Sequence, residues 1–221
     1  MCGRFTLRAP ASRIVEVFQL DAAPDWSPRY NIAPTQQVFA VRADGTTRHG
    51  VLLRWGLVPS WADQLDKSGR MINARAETVA VKPAFRRLIA RRRCLVVADG
   101  YYEWQKRDGG KQPYWIHRSD DGLFAFAGLW DRWEKGDEPV ESCTIITTDA
   151  NRLTRSIHDR MPVILEPEHY QRWLDPANHD VSSLQQLLVP NEQQPLRADP
   201  VSTYVNQVRN EGPRCIEAVA L

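Results

Sequence analysis

Cys94-Leu95-Val96-Val97-Ala98-Asp99-Gly100-Tyr101-Tyr102-Glu103-Trp104-Gln105-Lys106 sets an unbroken apolar run against an aromatic-rich one, with Asp99-Gly100 between them. Short runs rich in β-branched and aromatic residues on either side of a turn dipeptide predict a pair of strands joined at that dipeptide. Working outward, residues 37–42, 51–55, 114–117, 123–127 and 142–148 repeat the strand pattern, and Asp108-Gly109-Gly110 and Asp121-Gly122 repeat the turn signal. Helical spacing appears at 12–20, through Ile14, Val17 and Phe18, and at 83–93, through Phe85, Leu88 and Ile89, with Pro83 suited to a first turn. Further helix-like pieces fall at 150–157, 168–174 and 181–188, and the proline-containing stretch 190–200 reads as a loop that lets the last strand return. The predicted fold class is α+β: a single domain over residues 1–221, dominated by a strongly curved mixed or antiparallel sheet with short helices beside it.

Composition narrows the setting. The 221 residues are 43% hydrophobic, enough for a substantial core without a second domain. Cys2, Cys94, Cys143 and Cys215 are scattered, with no CxxC pair, which points away from a disulfide framework or a zinc site and toward a reducing, cytoplasmic setting. The five histidines form no HxxxH or HxH pattern with a matching carboxylate, so no metal and no cofactor is expected. No apolar run approaches the roughly 20 residues needed to span a bilayer, and no signal peptide opens the chain. A soluble, unexported protein is expected. The net charge is only +2, but residues 1–110 hold 18 Lys/Arg against 10 Asp/Glu, a net +8, while 111–221 hold 11 against 17, a net −6. Of the 29 basic residues 24 are arginine, whose planar fork suits phosphate. A solvated surface would account for this charge equally well; a polyanionic partner is the functional reading.

The second residue carries the most specific chemistry. Met1 precedes the small residue Cys2, so removal of the initiator would leave an N-terminal cysteine with an α-amine and a thiol on adjacent carbons. An aldehyde meeting that pair can form an imine and then take up the thiol, closing a thiazolidine. Placement of Cys2 by the start site alone is the plainer alternative. Four other clusters could serve it. Asn73, Arg75 and Glu77 alternate and would share one face if extended, for catalysis or for a bracing network. Glu103 among Tyr101, Tyr102 and Trp104 could have its pKa raised by desolvation, or could be a solvated strand residue. His158, before Asp159-Arg160-Met161-Pro162, sits between an expected helix end and a proline-started strand, where a structural role is equally open. Trp55 and Trp61 flank a bent Gly-Pro stretch and could stack on bases or fill a core.

In order, Cys2-Gly3-Arg4-Phe5, Tyr30-Asn31-Ile32-Ala33-Pro34-Thr35, Trp55-Gly56-Leu57-Val58-Pro59, Asn73-Ala74-Arg75-Ala76-Glu77, Asp99-Gly100-Tyr101-Tyr102-Glu103-Trp104, Ala127-Gly128-Leu129-Trp130 and His158-Asp159-Arg160-Met161-Pro162 resemble the SRAP family, the SOS response-associated peptidases. The resemblance spans residues 2 to about 165, and 201–216 looks like the family's closing segment. It implies a curved, barrel-like β fold that binds single-stranded DNA and captures abasic sites covalently through the N-terminal cysteine. Cys2 matches the cross-linking residue, and Asn73, Glu103 and His158 match the polar residues around it. Arg4, Arg75 and Arg160 match positions that contact phosphate, and Trp61 lies near the DNA-edge loop. The implied partner is abasic single-stranded DNA, with no membrane and no metal, for a monomer that is nucleoid-associated when bound. Since Met1 alone precedes Cys2, autoproteolytic trimming would have one residue to remove. Two rivals stay open. An N-terminal-nucleophile amidotransferase also begins Met-Cys-Gly, but its oxyanion hole is usually built on Asn-Gly, which this chain lacks. A non-catalytic reader of modified DNA is the other.

Overall fold

The computed structural model describes residues 2–65 and 71–221. Its strands, in chain order, are β1 (Phe5–Leu7), β2 (Arg29–Ile32), β3 (Gln37–Asp44), β4 (Thr47–Trp55), β5 (Asn73–Arg75), β6 (Arg93–Ala98), β7 (Gly100–Arg107), β8 (Gly110–Arg118), β9 (Phe124–Trp133), β10 (Val140–Asp149), β11 (Arg160–Pro162), β12 (Ile164–Leu165) and β13 (Leu196–Pro200). The α-helices are short: α1 (Ala11–Phe18), α2 (Leu88–Arg91), α3 (Tyr170–Leu174) and α4 (Val181–Gln185). Hydrogen bonding runs from β10 through β4, β3, β6 and β9 and back to β10, so the larger sheet closes into a ring, with β5 and β11 also on β10 and β12 on β9. The β4–β10 and β5–β10 pairs are parallel and the others antiparallel, which makes the curved sheet mixed, as expected. A second sheet, in the order β13, β8, β7, β1, β2, packs across it. Phe5 of β1 lies edge-on to Trp55 of β4 at 5.2 Å and to Phe126 of β9 at 5.8 Å, joining the two sheets in one core.

The opening stretch contains both strands, but they are not partners. β6 is hydrogen-bonded between β3 and β9, and all six of its residues are buried, so neither face meets solvent and its apolar pattern is unbroken. β7 pairs with β8 and β1. Asp99-Gly100 is a corner at which the chain leaves one sheet for the other. Asp99 closes that corner by accepting from the Thr6 hydroxyl at 2.6 Å and the Arg8 backbone N–H at 2.5 Å, while its own N–H donates to the Thr6 carbonyl. Gly100 is required by space: a Cβ there would lie 2.1 Å from Trp115 Nε1.

Three other expectations are corrected. The helix expected over 83–93 contracts to α2, because residues 78–87 form successive turns and Arg93 already belongs to β6; the inner face of Phe85, Leu88 and Ile89 is buried as expected. The helix expected over 150–157 is a run of turns. The Asn151 carboxamide accepts from both the backbone N–H and the hydroxyl of Thr154 as a helix N-cap does, but the bonds that follow, from the Arg155 N–H to the Asn151 carbonyl and from the His158 N–H to the Thr154 carbonyl, close separate turns. Within 190–200, Leu196–Pro200 forms β13 against β8, a pairing that the prolines concealed and that an edge strand tolerates. No helix among the described residues is long and apolar enough to cross a membrane.

Candidate active site

Strand pairing fixes the start of the chain. β1 is held between β2 and β7, with Phe5 opposite Ile32 on one side and Tyr101 on the other, and Cys2, three residues before it, lies in the core with no exposed surface. Asn73, the first residue of β5, is set by its parallel register with Ile145 and donates from Nδ2 to the Cys2 carbonyl at 2.8 Å. Its Oδ1 is buried and meets no hydrogen-bond partner among the described residues. The Met1 end, and with it the expected removal of the initiator, lies outside the described residues.

Glu103 sits on β7 with 2% exposure. Burial pushes its carboxyl from 4.5 to about 7, against the opposing pull of the chain's terminal ammonium and the Trp104 backbone N–H. Burial also pushes the Cys2 thiol far up, and the Glu103 charge adds to that shift. The resting site therefore holds a protonated thiol next to a carboxyl poised near neutrality.

Glu103 shares one face of β7 with Tyr101 and Gln105, since alternate residues of a strand point the same way. That face is turned to the 150–159 loop, which carries His158. Gln105 Nε2 donates to the Ser156 carbonyl at 2.8 Å, and its Oε1 accepts from Arg107 Nε at 2.9 Å and from the Tyr114 hydroxyl at 3.2 Å. The His158 N–H donates to the Thr154 carbonyl at 2.9 Å. His158 is partly exposed, and burial, the terminal ammonium and Lys111 together lower its pKa, with Asp159 opposing. Its Nδ1 faces two groups: the Arg160 N–H at 3.0 Å, which needs a lone pair, and Asp159 Oδ1 at 2.8 Å, which needs a proton. The lowered pKa favours the neutral ring, in which Nδ1 serves one of these two groups at a time. Pro162 ends β11 where the sequence pattern placed it at a strand start.

The structure thus gathers Cys2, Asn73, Glu103 and His158, and distributes the remaining candidates around them. Arg4 Nη1 donates to Asn31 Oδ1 at 2.7 Å and to the Val205 carbonyl at 3.0 Å, and its guanidinium lies 6.0 Å from the Trp104 ring. Arg160 is held by Glu77 and Asp149, each at 2.7 Å from Nη1, and by the Thr147 carbonyl. Those partners separate Glu77 from the role of a third residue facing with Asn73 and Arg75, because β5 ends at Arg75. Arg75 is exposed. Trp61 is 60% exposed, its carbonyl accepting from Lys135 Nζ, whereas Trp55 is a core residue.

Two supporting residues had no role in the sequence reading. Asn31 is fully buried and, besides holding Arg4, donates from Nδ2 toward the carbonyls of Val205, Gln207 and Asn210, so it fastens the closing segment beside the cysteine. Gln105 was identifiable by its spacing of two from Glu103. Among the described residues no cluster of three or more His, Cys, Asp or Glu could hold a metal ion.

Known proteins resemble this chain over nearly its whole length. The family model described as SOS response associated peptidase (SRAP) matches residues 1–208. "Abasic site processing protein YoqW" of Bacillus subtilis (strain 168) is 43% identical over 223 residues, covering 99% of this chain and 100% of that one. "Abasic site processing protein HMCES" of Gallus gallus is 36% identical, covering 100% of this chain and 79% of that one. A crystal structure of a protein from Bacteroides thetaiotaomicron matches with a TM-score of 0.87 at 26% identity, over 99% of this chain and 100% of that one.

Proposed function

The chain belongs to the SOS response associated peptidase (SRAP) family, and from that membership and the site we propose that it processes abasic sites in single-stranded DNA by forming a covalent cross-link through Cys2. The observation that carries the reading is the convergence on Cys2 of a buried carboxyl shifted to about 7 and an amide 2.8 Å from the Cys2 carbonyl. Removal of Met1, by processing or by autoproteolysis, exposes the 1,2-aminothiol.

The order of bond formation follows from the pKa shifts. A free α-amine has an ordinary pKa of about 7.7–8.0, so a useful fraction is unprotonated near neutrality, whereas burial keeps the thiol protonated. The amine therefore attacks first. His158 passes a proton to the sugar ring oxygen as the ring C–O bond breaks and takes one up from the anomeric hydroxyl as the aldehyde C=O forms. Glu103 accepts a proton during carbinolamine formation and returns it as water leaves, which a group near pKa 7 does in both directions. The thiol then adds to the imine carbon, its proton passing to the imine nitrogen by way of Glu103, and the thiazolidine closes. Asn73 does not titrate and orients the reacting end. Holding the aldehyde within about 3–3.5 Å of the amine removes most of the entropic cost of encounter. The closed ring lacks the imine that would acidify the neighbouring proton, so the linkage shields the strand from β-elimination. Arg75, exposed at the end of β5, serves the backbone phosphates and Trp61 stacks on a base at the edge of the site, while Arg4 and Arg160 brace it through their bonds within the protein.

A single strand with one abasic site, incubated with the protein and run on a denaturing gel, tests this reading. Wild type is expected to give a heat-stable shifted band and Cys2→Ala none. Binding without a covalent band in wild type would favour a non-catalytic reader, and glutamine hydrolysis without one would favour an amidotransferase.

A further inference from the structure

Two of the arginines placed near the site are engaged within the protein, one by carboxylates and one by neutral oxygens while turned inward. Arg160 faces Glu77 and Asp149, and Arg4 is committed to Asn31 and the Val205 carbonyl. Cations without a carboxylate partner among the described residues lie elsewhere on the rim, on the turn between β7 and β8 and on the His158 loop. Arg107 is exposed, and its guanidinium is oriented by the Gln105 carboxamide at 2.9 Å and the Tyr114 hydroxyl at 2.9 Å, both neutral. Arg155 is exposed and precedes Ser156, whose carbonyl accepts from that same Gln105. Lys111 is exposed, and its charge acts on the His158 ring. The Gln105 carboxamide therefore ties the two segments together, bonded on one side to the Arg107 guanidinium and on the other to the carbonyl next to Arg155. The acidic residues of the same two segments are Asp108, at the tip of the turn, and Asp159, which is turned to His158.

We propose that Arg107, Lys111 and Arg155 form a cationic shelf beside His158 that binds the backbone phosphates of the single strand flanking the abasic nucleotide. The inference rests on the abasic-strand reading of the site for the identity of the ligand. The chemistry is that of a polyanion without base selectivity: three exposed cations, two of them arginines suited to paired phosphate oxygens, on a surface held together by the Gln105 amide. A shelf of this kind gives the strand a fixed direction across the site and brings the aldehyde to Cys2 from one side.

The test is the salt dependence of noncovalent binding, followed by fluorescence anisotropy with an unmodified labelled single strand. Removing one cation that neutralises a phosphate should reduce the slope of log affinity against log salt by about 0.7, so the triple change Arg107→Gln, Lys111→Gln and Arg155→Gln should reduce it by about 2. Arg155→Gln alone, on an exposed loop residue, should reduce it by about 0.7, which keeps the test valid if the triple variant folds poorly. Arg13→Gln, on α1 and paired with Glu16, should leave the slope unchanged. A slope equal to wild type in both the triple and the Arg155→Gln proteins would overturn the shelf. Because the probe has no abasic site, this result is separate from cross-linking: failure of wild type to form an adduct would reject the covalent reading and leave the slopes to decide the shelf.

Discussion

Glu103 is a carboxyl with 2% exposure at the centre of the site, and its folded-state pKa of about 7 lies above the ordinary 4.5. The folded protein thus binds this proton more tightly than the unfolded chain does. Its favourable contribution is fully present below about pH 4.5, is lost as pH rises toward 7, and becomes a constant penalty above that. Glu103→Gln, which keeps the shape and removes the charge, is expected to raise stability at pH 8 by roughly 1–3 kcal/mol, with little gain at pH 4. Urea unfolding at the two pH values checks this, and an equal gain at both would contradict the assignment. The same substitution should slow cross-linking and remove the inflection near pH 7 from its rate profile. Cys2, Asn73, Glu103 and His158 could each be singled out from a distinctive local pattern, and the family resemblance was what grouped them. Asn31 acts through the backbone carbonyls of a distant segment, and a carbonyl has no signature in sequence.

At the scale of elements, the strand segments of the β-rich core were readable from their own residues, and their partners were not. Cys94–Ala98 and Tyr101–Lys106 are both strands, yet Asp99-Gly100 separates two sheets, because Thr6 and Arg8 capture the Asp99 carboxylate and Trp115 occupies the space beside Gly100. Those three residues are far from the dipeptide in sequence, so no local rule distinguishes this corner from a hairpin turn. The corner also sets the site, since it starts β7 and thereby places Glu103 four residues on. Gly100→Ala must displace the Trp115 ring or the β7 backbone and is expected to cost about 1–3 kcal/mol or more. A urea midpoint unchanged from wild type would show that the close approach is not maintained in solution. The 150–159 loop gives the complementary lesson: its apolar spacing favours helix, yet its backbone bonds close separate turns and leave His158 on a loop fastened to β7.

Across the whole molecule, the closed ring of β10, β4, β3, β6 and β9 carries β5 on its outer pairing, and the second sheet carries β1 and β7. Cys2 precedes β1, Asn73 opens β5, Glu103 lies on β7 and His158 precedes β11, so the four come together only when both sheets are assembled. Charge at the site does not follow the division between residues 1–110 and 111–221: Arg4 is turned inward and Arg160 is paired, while cations of the β7–β8 turn and the His158 loop face solvent. The central claim is that Cys2 acts as an N-terminal aminothiol toward a DNA aldehyde. Intact mass spectrometry of the adduct with an abasic oligonucleotide tests it most directly. The expected species is the protein without Met1 plus the oligonucleotide minus one water, because condensing an aldehyde with an aminothiol releases a single water, and Cys2→Ala should yield no stable counterpart. An adduct that retains Met1, or one of equal lifetime from Cys2→Ala, would contradict the account.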